Sequence, residues 1–174
     1  MTRRIAGEQE VAGLITRLAA AISRANKGQK DLALVGIKRR GVPLAERIAA
    51  RLGRTRKVPV GAIDITLYRD DLQMVAETPI VRGTEINFDI NSRTLVLVDD
   101  VIFTGRTTRA ALSELLDFGR PRCIQLAVLI DRGLHELPIR ADFVGRTIRT
   151  RHGDIVDIYL KETDGRDGVF LTRK

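Results

Sequence analysis

The chain has 174 residues, 44% hydrophobic and 30% charged, which is an ordinary composition for one globular domain with a sizeable core. Its 30 basic and 22 acidic residues give a formal charge of +8, so polyanions such as phosphorylated metabolites or RNA are the expected partners. Five phenylalanines, two tyrosines and no tryptophan argue against an RNA-binding surface of stacked aromatic rings, and two histidines with one cysteine exclude a zinc site.

The sequence contains no membrane or export signal. No apolar run approaches the roughly 20 residues that a membrane-spanning helix needs. The residues after Arg4 are mixed rather than a hydrophobic signal core. We therefore expect a cytoplasmic protein. The single cysteine, Cys123, excludes an internal disulfide, and its place beside the apolar run Ile124 to Ile130 predicts a buried core thiol.

The first predicted element is an amphipathic helix from Glu8 to Ala25, with Gly28 placed to end it. Its apolar positions recur at helical spacing and predict one buried face. These positions are Val11, Leu14, Ile15, Leu18 and Ile22.

A basic turn follows the fully apolar strand predicted from Leu32 to Ile37. It consists of Lys38, Arg39, Arg40 and Gly41, after which Val42 and Pro43 open another helix. At a strand end of an α/β sheet, successive cations closed by a glycine form a compact anion site suited to pyrophosphate. The alternative is a solvated basic turn, because surface charge runs are usually just that.

A third strand is predicted from Val58 to Ile65, and the residues after it lack a sustained period. A loop of this length inside a compact domain is usually functional. We interpret Tyr68 to Thr84 as a lid that closes over bound substrate and excludes water. Within it, Arg69 is either a plain surface arginine or a cation that clamps the departing pyrophosphate.

The most informative stretch runs from Thr94 to Thr108. Thr94 to Val98 has no polar alternation, which predicts a parallel strand buried on both faces and stopping at Asp99 and Asp100. The following residues turn into a helix start that offers free N–H groups, hydroxyls and one arginine to a phosphate monoester. These are Val101, Ile102, Phe103, Thr104, Gly105, Arg106, Thr107 and Thr108.

The acid pair Asp99 and Asp100 is unsuited to binding that phosphate itself. Carboxylates one step before a phosphate site more plausibly accept hydrogen bonds from the vicinal hydroxyls of a ribose, or hold a magnesium ion through water. The alternative is that they only cap the next helix. With the phosphate site, the pair indicates a ribose 5-phosphate.

The remaining chain supplies one more strand and a C-terminal extension. Cys123 to Ile130 is a buried strand that ends in Asp131, Arg132 and Gly133, a third loop on the ligand edge. Leu137 to Gly145 is interpreted as a short cap over the site.

Two short segments, Ile155 to Leu160 and Val169 to Leu171, are separated by turn residues and predict a terminal hairpin. We expect one domain over residues 1–174, with a lid at about residues 68–84 and a cap and hairpin at about residues 133–174.

The stretch Thr94 to Thr108 resembles the binding signature of type I phosphoribosyltransferases for phosphoribosyl diphosphate (PRPP). Over most of its length the chain resembles the bacterial PyrR family, the attenuation regulators of pyrimidine operons. The resemblance rests on the central stretch and on Val35 to Lys38, Arg40 with Gly41, Asp64 to Leu72, Gly119 to Pro121, Leu126 to Leu129, Asp131 to Gly133 and Glu136 to Gly145.

This resemblance implies an α/β protein with the type I phosphoribosyltransferase fold, a mostly parallel twisted sheet flanked by helices, with a lid loop and a small cap and hairpin. It also implies two activities: binding of pyrimidine operon leader RNA in response to UMP or UTP, and Mg²⁺-dependent formation of UMP and diphosphate from uracil and PRPP. A homo-oligomer, dimer or tetramer, is implied as well. The alternative is a salvage phosphoribosyltransferase for uracil or another base without a regulatory role.

The resemblance assigns residues to four roles. Asp99, Asp100 and Arg132 would be catalytic, the two aspartates also holding the metal. PRPP would contact Lys38, Arg39, Arg40, Gly41, Arg69 and the whole run from Asp99 to Thr108. Arg132, Phe143, Val144 and Gly145 would border the base, while Thr16, Arg17, Arg140 and Arg146 would bind RNA.

Several positions depart from the usual family pattern. Arg39 stands where threonine is common, and Ala20 replaces a histidine. Leu134 with His135 replaces His-Arg, and Thr147 to Arg151 also differs. These departures leave the PRPP motif intact and affect the expected RNA face.

Overall fold

The computed structural model describes residues 1–53, 57–66 and 83–174. In this part of the chain, no helix is long and apolar enough to cross a membrane. The elements in chain order are β1 (Thr2–Ala6), α1 (Glu8–Ala25), β2 (Leu32–Ile37), α2 (Gly41–Leu52), β3 (Val60–Ile63), β4 (Thr94–Ile102), α3 (Arg106–Asp117), β5 (Cys123–Asp131), β6 (Phe143–Thr147), β7 (Ile155–Tyr159), α4 (Lys161–Asp164) and β8 (Gly168–Thr172).

A five-stranded parallel sheet forms the centre of the fold, in the order β3-β2-β4-β5-β6. Helices α1 and α2 contribute to the core on one face, and α3 contributes to the core on the other. Neighbouring residues of β4 alternate between the two cores, so that Val96 belongs to one and Leu97 to the other. Burial on both faces explains why the central strands are apolar without alternation, as expected from the sequence.

Strand β4 is longer than the sequence predicted. It does not stop at Asp99 and Asp100 but continues to Ile102, with Asp99 opposite Val128 and Val101 opposite Ile130 in β5. The expected stop was wrong because backbone pairing with β5 does not depend on the side chains. Both acids are consequently held by a rigid sheet.

Cys123 is exposed, so the expected buried thiol was wrong. It is the first residue of β5, where it pairs with Thr94 at the amino-terminal rim of the sheet. The thiol lies 3.6 Å from the hydroxyl of Thr94. The buried part of the strand begins only at Leu126.

The predicted cap is shorter than expected at its carboxyl end. Phe143 to Gly145 belong to β6, which pairs with β5 as the edge strand of the parallel sheet. The third strand is also shorter, Val60–Ile63, than the predicted range Val58 to Ile65. Of the predicted lid, only Gly83 and Thr84 lie within the described residues.

The terminal hairpin is confirmed, since β7 and β8 pair in antiparallel register. Strand β1 adds to β8 as a third strand, which the sequence did not predict. The turn of the hairpin contains α4, and Gly165 closes it with a φ of 73°. This turn contacts α2 through Arg47, which pairs with Glu162 and Asp167.

Glu114 is a buried acid on α3, with only 1% of its surface exposed. The hydroxyl of Thr84 donates a hydrogen bond to one carboxyl oxygen, and the other oxygen has no partner among the described residues. The same hydroxyl accepts the backbone N–H of Asp64 at 3.0 Å. Burial raises the pKa of Glu114 above its ordinary value, although the Thr84 hydrogen bond partly opposes this effect.

Because the folded state binds the Glu114 proton more tightly than the unfolded chain, ionisation of this carboxyl above its ordinary pKa of 4.5 lowers stability. Glu114→Gln should therefore raise Tm near neutral pH, and the gain should shrink as pH falls. Thermal unfolding from about pH 4 to about pH 8 measures the difference. Glu46→Gln, at an exposed position of α2, is the control. A difference in Tm between Glu114→Gln and the wild-type protein that is constant across pH would contradict the prediction.

Candidate functional site

A cavity of about 270 Å³ lies at the carboxyl edge of the parallel sheet. It brings together the basic turn, the acid pair and the amino end of α3, as expected for loops that follow parallel strands. The lining residues are Ile37, Lys38, Arg39, Arg40, Ile65, Thr66, Asp99, Asp100, Val101 and Thr107. The third predicted loop, Asp131 to Gly133, does not line this cavity.

The basic turn lies directly against the sheet because two glycines leave no room for side chains. A Cβ atom on Gly41 would lie 2.3 Å from the carbonyl oxygen of Val98 in β4, and one on Gly36 would lie 2.5 Å from the carbonyl oxygen of Gly41. The peptide bond between Lys38 and Arg39 is cis. The turn therefore approaches the acid pair through backbone contact rather than through long side chains.

Two of the three cations in the turn have acidic partners. Arg40 donates from Nε and Nη2 to the two carboxylate oxygens of Asp164, at 3.1 and 2.9 Å. This two-point pair raises the pKa of Arg40, and the nearby charge of Asp100 adds to the effect. Lys38 lies 3.5 Å from a carboxylate oxygen of Glu85. The turn is therefore not simply a solvated run of charge.

The acid pair is largely buried, and Asp99 is only 7% exposed. Each carboxylate accepts the next backbone N–H, Asp99 from Asp100 and Asp100 from Val101, both at 2.9 Å. Burial raises the pKa of both groups; the charge of Asp100 raises that of Asp99 further, and Arg40 lowers that of Asp100. Hydroxyl donors or a cation would stabilise the ionised pair.

The structure excludes the alternative that these acids cap α3. Helix α3 begins at Arg106 with Gly105 at its N-cap, and both acids lie within β4. Gly105 has a φ of +92°, a left-handed conformation that glycine adopts without strain. The N–H groups of the first turn of α3 lack intrahelical acceptors, as a phosphate site requires.

Side chains around this helix start differ in their access to a ligand. Thr107 lines the cavity, whereas Thr108 and Ile102 are each 2% exposed and can offer only backbone groups. The Thr104 hydroxyl accepts the N–H of Arg106 at 3.3 Å. The guanidinium of Arg106 pairs with Glu136 at 3.1 Å.

Residues 136–139, within the predicted cap region, lie against the loop before α3 that is predicted to bind phosphate. The backbone N–H groups of Glu136 and Leu137 donate to the carbonyl oxygen of Thr104, at 3.0 and 3.2 Å. A Cβ on Gly105 would lie 3.4 Å from the Cβ of Leu137. This segment therefore orients the loop that precedes α3.

Arg132 is 7% exposed and braces two loops against each other. It donates to the Thr150 hydroxyl at 3.1 Å and to the carbonyl oxygen of Asp154 at 2.8 Å, and its guanidinium lies 4.0 Å from the centroid of the Phe103 ring. Burial lowers its pKa. Arg132 does not line the cavity, so its catalytic role stays a prediction.

The residues predicted to border the base lie away from this cavity. Phe143 is 8% exposed and belongs to the core that α1 covers. A Cβ on Gly145 would lie 2.5 Å from the carbonyl oxygen of Leu129, so Gly145 is needed for strand packing. Phe143, Val144 and Gly145 do not line the cavity, although Val144 lies in the same row of the sheet as Asp99, two strands away through Val128. Their contact with a base stays a prediction.

The residues predicted to bind RNA all make contacts within the chain. Thr16, Arg17 and Arg146 belong to α1 and β6, whereas Arg140 lies in the predicted cap region. The contacts are Thr16 to the Ala12 carbonyl at 3.0 Å, Arg17 to the Gly145 carbonyl at 3.2 Å, Arg146 to the Ile5 carbonyl at 2.7 Å and to Glu10 at 3.4 Å, and Arg140 to the His135 imidazole. The predicted lid residue Arg69 lies outside the described residues.

The sequence did not predict four residues at or beside the cavity, the first of which is Ile37 at the end of β2. Ile65 and Thr66 line the cavity although they were read only as the end of a strand and the start of a loop. Asp164 pairs with Arg40 across 124 positions of sequence. Its turn-rich surroundings predicted a hairpin and carried no signal for this contact.

Residues 2–163 match the family model described as Phosphoribosyl transferase domain. Fold and site thus define a phosphoribosyltransferase-type protein. A hypoxanthine phosphoribosyltransferase from Staphylococcus aureus is similar in structure, with a TM-score of 0.73 and 18% identity over 99% of this chain and 92% of that chain. A hypoxanthine-guanine phosphoribosyltransferase from Bacillus anthracis has a TM-score of 0.75 at 15% identity, over 99% and 98%. At these identities the likeness concerns the fold alone.

Sequence relatives are much closer. A protein from Roseiflexus sp. is 56% identical over 98% of this chain and 95% of its own length. One from Clostridioides difficile is 51% identical over 94% of both chains. Each is called Bifunctional protein PyrR. The chain belongs to the PyrR family.

The close approach of Gly41 to β4 generates a testable prediction. Gly41→Ala should lower the free energy of unfolding by about 2 kcal/mol, because the new methyl group must push the basic turn away from Val98. The control is Gly13→Ala, where a Cβ meets nothing within 4 Å in the middle of α1 and should stabilise by about 0.5 to 1 kcal/mol. Denaturant unfolding measures both variants. Equal changes in the free energy of unfolding in the two variants would show that the turn does not depend on the contact between Gly41 and Val98.

Proposed function

We propose that this protein transfers the phosphoribosyl group of PRPP to uracil and releases diphosphate. The observation that carries the proposal is the cavity, which joins the cationic turn, the acid pair and the amino end of α3 at one edge of the sheet. These three features suit the diphosphate, the ribose hydroxyls and the 5-phosphate of PRPP, respectively. Membership in the PyrR family supports uracil as the acceptor and UMP as the product.

Each part of the cavity has a role in the transfer. The basic turn binds the diphosphate, Asp99 and Asp100 accept hydrogen bonds from the ribose hydroxyls, and the first turn of α3 binds the 5-phosphate. A ring nitrogen of uracil bonds to C1 of the ribose and releases its proton to water, while the bond from C1 to the diphosphate oxygen breaks. The bonding electrons leave with diphosphate, whose charge Lys38 and Arg40 stabilise. No covalent nucleophile is needed, so rate enhancement comes from positioning and electrostatics.

The acid pair also fits a Mg²⁺ ion. The described residues contain no cluster of three or more histidine, cysteine or acidic side chains that would form an all-protein metal site. Two carboxylates that share the ion with substrate oxygens and water are the usual arrangement for Mg²⁺. Asp99 and Asp100 would hold the ion directly or through water, and it would neutralise charge on the bound diphosphate.

Asp99→Asn and Asp100→Asn should each lower kcat/KM for UMP formation by orders of magnitude. Neither should lower Tm, because burial already disfavours the charged form of both side chains. Steady-state kinetics with PRPP, uracil and Mg²⁺, together with thermal unfolding, measures this separation. Asp157→Asn in β7, at a residue that does not line the cavity, controls for the loss of one charge.

Wild-type kcat/KM in both Asn variants would contradict the ribose assignment. Competition between uracil, purine bases and orotate in the same assay tests the choice of acceptor. A preference for another base would favour the alternative of a salvage enzyme for that base.

We propose in addition that the protein binds pyrimidine operon leader RNA and that UMP or UTP modulates this binding. The formal charge of +8 and the arginines of α1 and β6 support it. Arg17 and Arg146 are partly occupied by backbone acceptors, which orients their guanidinium groups while leaving other N–H donors for RNA. The expected dimer or tetramer rests on the family resemblance and stays a proposal, as does the cytoplasmic location expected from the sequence.

Arg17→Ala and Arg146→Ala should weaken binding of a leader hairpin more than binding of a scrambled hairpin. Non-specific attraction depends on total charge and falls steeply with salt, whereas specific recognition requires placed contacts. Titrations at two salt concentrations, with and without UMP, measure affinity and selectivity. Arg173→Ala, an exposed residue at the carboxyl end, makes the same change in charge and is the control.

Indistinguishable affinities of the wild-type protein for the two hairpins, unaffected by UMP, would contradict the regulatory role. The protein would then be a salvage enzyme only. A UMP-dependent preference with negligible UMP synthesis would make it chiefly a regulator.

A further inference from the structure

The turn between β7 and β8 reaches back to the cationic edge of the parallel sheet. Asp164, the last residue of α4, receives two hydrogen bonds from Arg40, one on each carboxylate oxygen, at 3.1 and 2.9 Å. The side chain of Asp164 is 16% exposed and that of Arg40 is 35% exposed. Two parallel hydrogen bonds between a guanidinium and a carboxylate fix the orientation of the guanidinium as well as its distance from the carboxylate.

Asp164 is also held by hydrogen bonds within its own turn, independently of Arg40. Its Oδ2 atom accepts the backbone N–H of Leu160 at 2.9 Å and the hydroxyl of Thr163 at 2.7 Å. The N–H of Asp164 donates to the carbonyl oxygen of Leu160 at 2.7 Å. The carboxylate therefore has a defined orientation within its own turn.

A second arginine attaches the same turn to the scaffold. Arg47 in α2 donates to both carboxylate oxygens of Glu162, at 2.7 and 2.6 Å, and to both of Asp167, at 2.7 and 2.8 Å. Helix α2 begins immediately after the basic turn. The Arg47 contacts can therefore hold the β7–β8 turn on α2 without Asp164, which leaves the Asp164 carboxylate with a separate role.

Arg40 has a second neighbour of functional interest. It lines the cavity together with Asp100 and lies close enough to lower the pKa of that acid. The pair with Asp164 uses Nε and one hydrogen of Nη2, so the remaining N–H donors of the guanidinium stay available to an anion. Asp164 thus restricts the rotamers of Arg40 in the free protein. Less side-chain entropy is then lost when substrate binds.

We propose that Asp164 is a positioning residue, which holds the guanidinium of Arg40 at the cavity so that it meets the diphosphate of PRPP. This inference rests on the proposed function, because it assigns the diphosphate to the basic turn. Asp164 acts through Arg40 and does not touch the substrate. The terminal antiparallel sheet therefore contributes to the active site through a single carboxylate.

The turn offers a matched pair of variants, since Asp164 and Asp167 are two aspartates in one turn with different arginine partners. Asp164→Asn should raise KM for PRPP about tenfold through loss of a charge-assisted pair, with KM for uracil unchanged. Asp167→Asn should lower Tm without changing KM for PRPP. Asp164→Glu keeps the charge and should restore part of the PRPP affinity. Calorimetric titration of each variant with PRPP and Mg²⁺ measures the change in PRPP affinity without turnover.

Equal shifts in KM for PRPP in the Asp164→Asn and Asp167→Asn variants would overturn the inference and leave Asp164 with a structural role only. A lower KM in Asp164→Asn would also overturn it, because Asp164 would then compete with diphosphate for Arg40. If Asp164→Asn does not fold, Asp164→Glu carries the test, and an unchanged PRPP affinity in that variant counts against the inference. A wild-type protein that binds PRPP but forms no UMP would contradict the proposed function instead.

Discussion

The contact between Gly41 and the carbonyl oxygen of Val98 is the constraint on which the rest of the site depends. Because Gly41 has no side chain, the basic turn can lie directly on β4; a Cβ atom there would lie 2.3 Å from that oxygen. Strand β4 then continues into Asp99 and Asp100, so cations and acids come within one cavity. Backbone packing, rather than attraction between the charges, creates this arrangement.

Burial of the two acids in this arrangement disfavours their charged form. Burial raises the pKa of both carboxyls, and the charge of Asp100 raises that of Asp99 further, while backbone N–H groups and Arg40 only partly offset the desolvation. Ribose hydroxyls and a cation would supply what the chain lacks. Arg40 links this pair to Asp164, so the electrostatic balance of the site extends into the terminal sheet. Buried acids with shifted pKa values are common in enzyme active sites.

Local patterns were sufficient to predict most of the elements. The helical period from Glu8 to Ala25 and the apolar run from Leu32 to Ile37 match α1 and β2 at both ends. The acid pair and the helix start after it line one cavity at the carboxyl edge of the sheet, which is where the sequence placed them. Errors occurred where pairing decides the boundary, as in β4, which continues through its acids, and in β6, which was expected to be part of a cap.

The sequence by itself determined most of the helices and strands and indicated which residues are suited to bind a ligand, because periodicity and residue type are local properties. Tertiary structure alone decided which of those residues share one cavity. Arg132 braces Phe103 against residues 150–154, and Phe143 belongs to the core. Their expected contacts with substrate stay predictions. Asp164 joined Arg40 across 124 positions. Such contacts depend on sheet order and on the closeness of backbones, which no local pattern encodes.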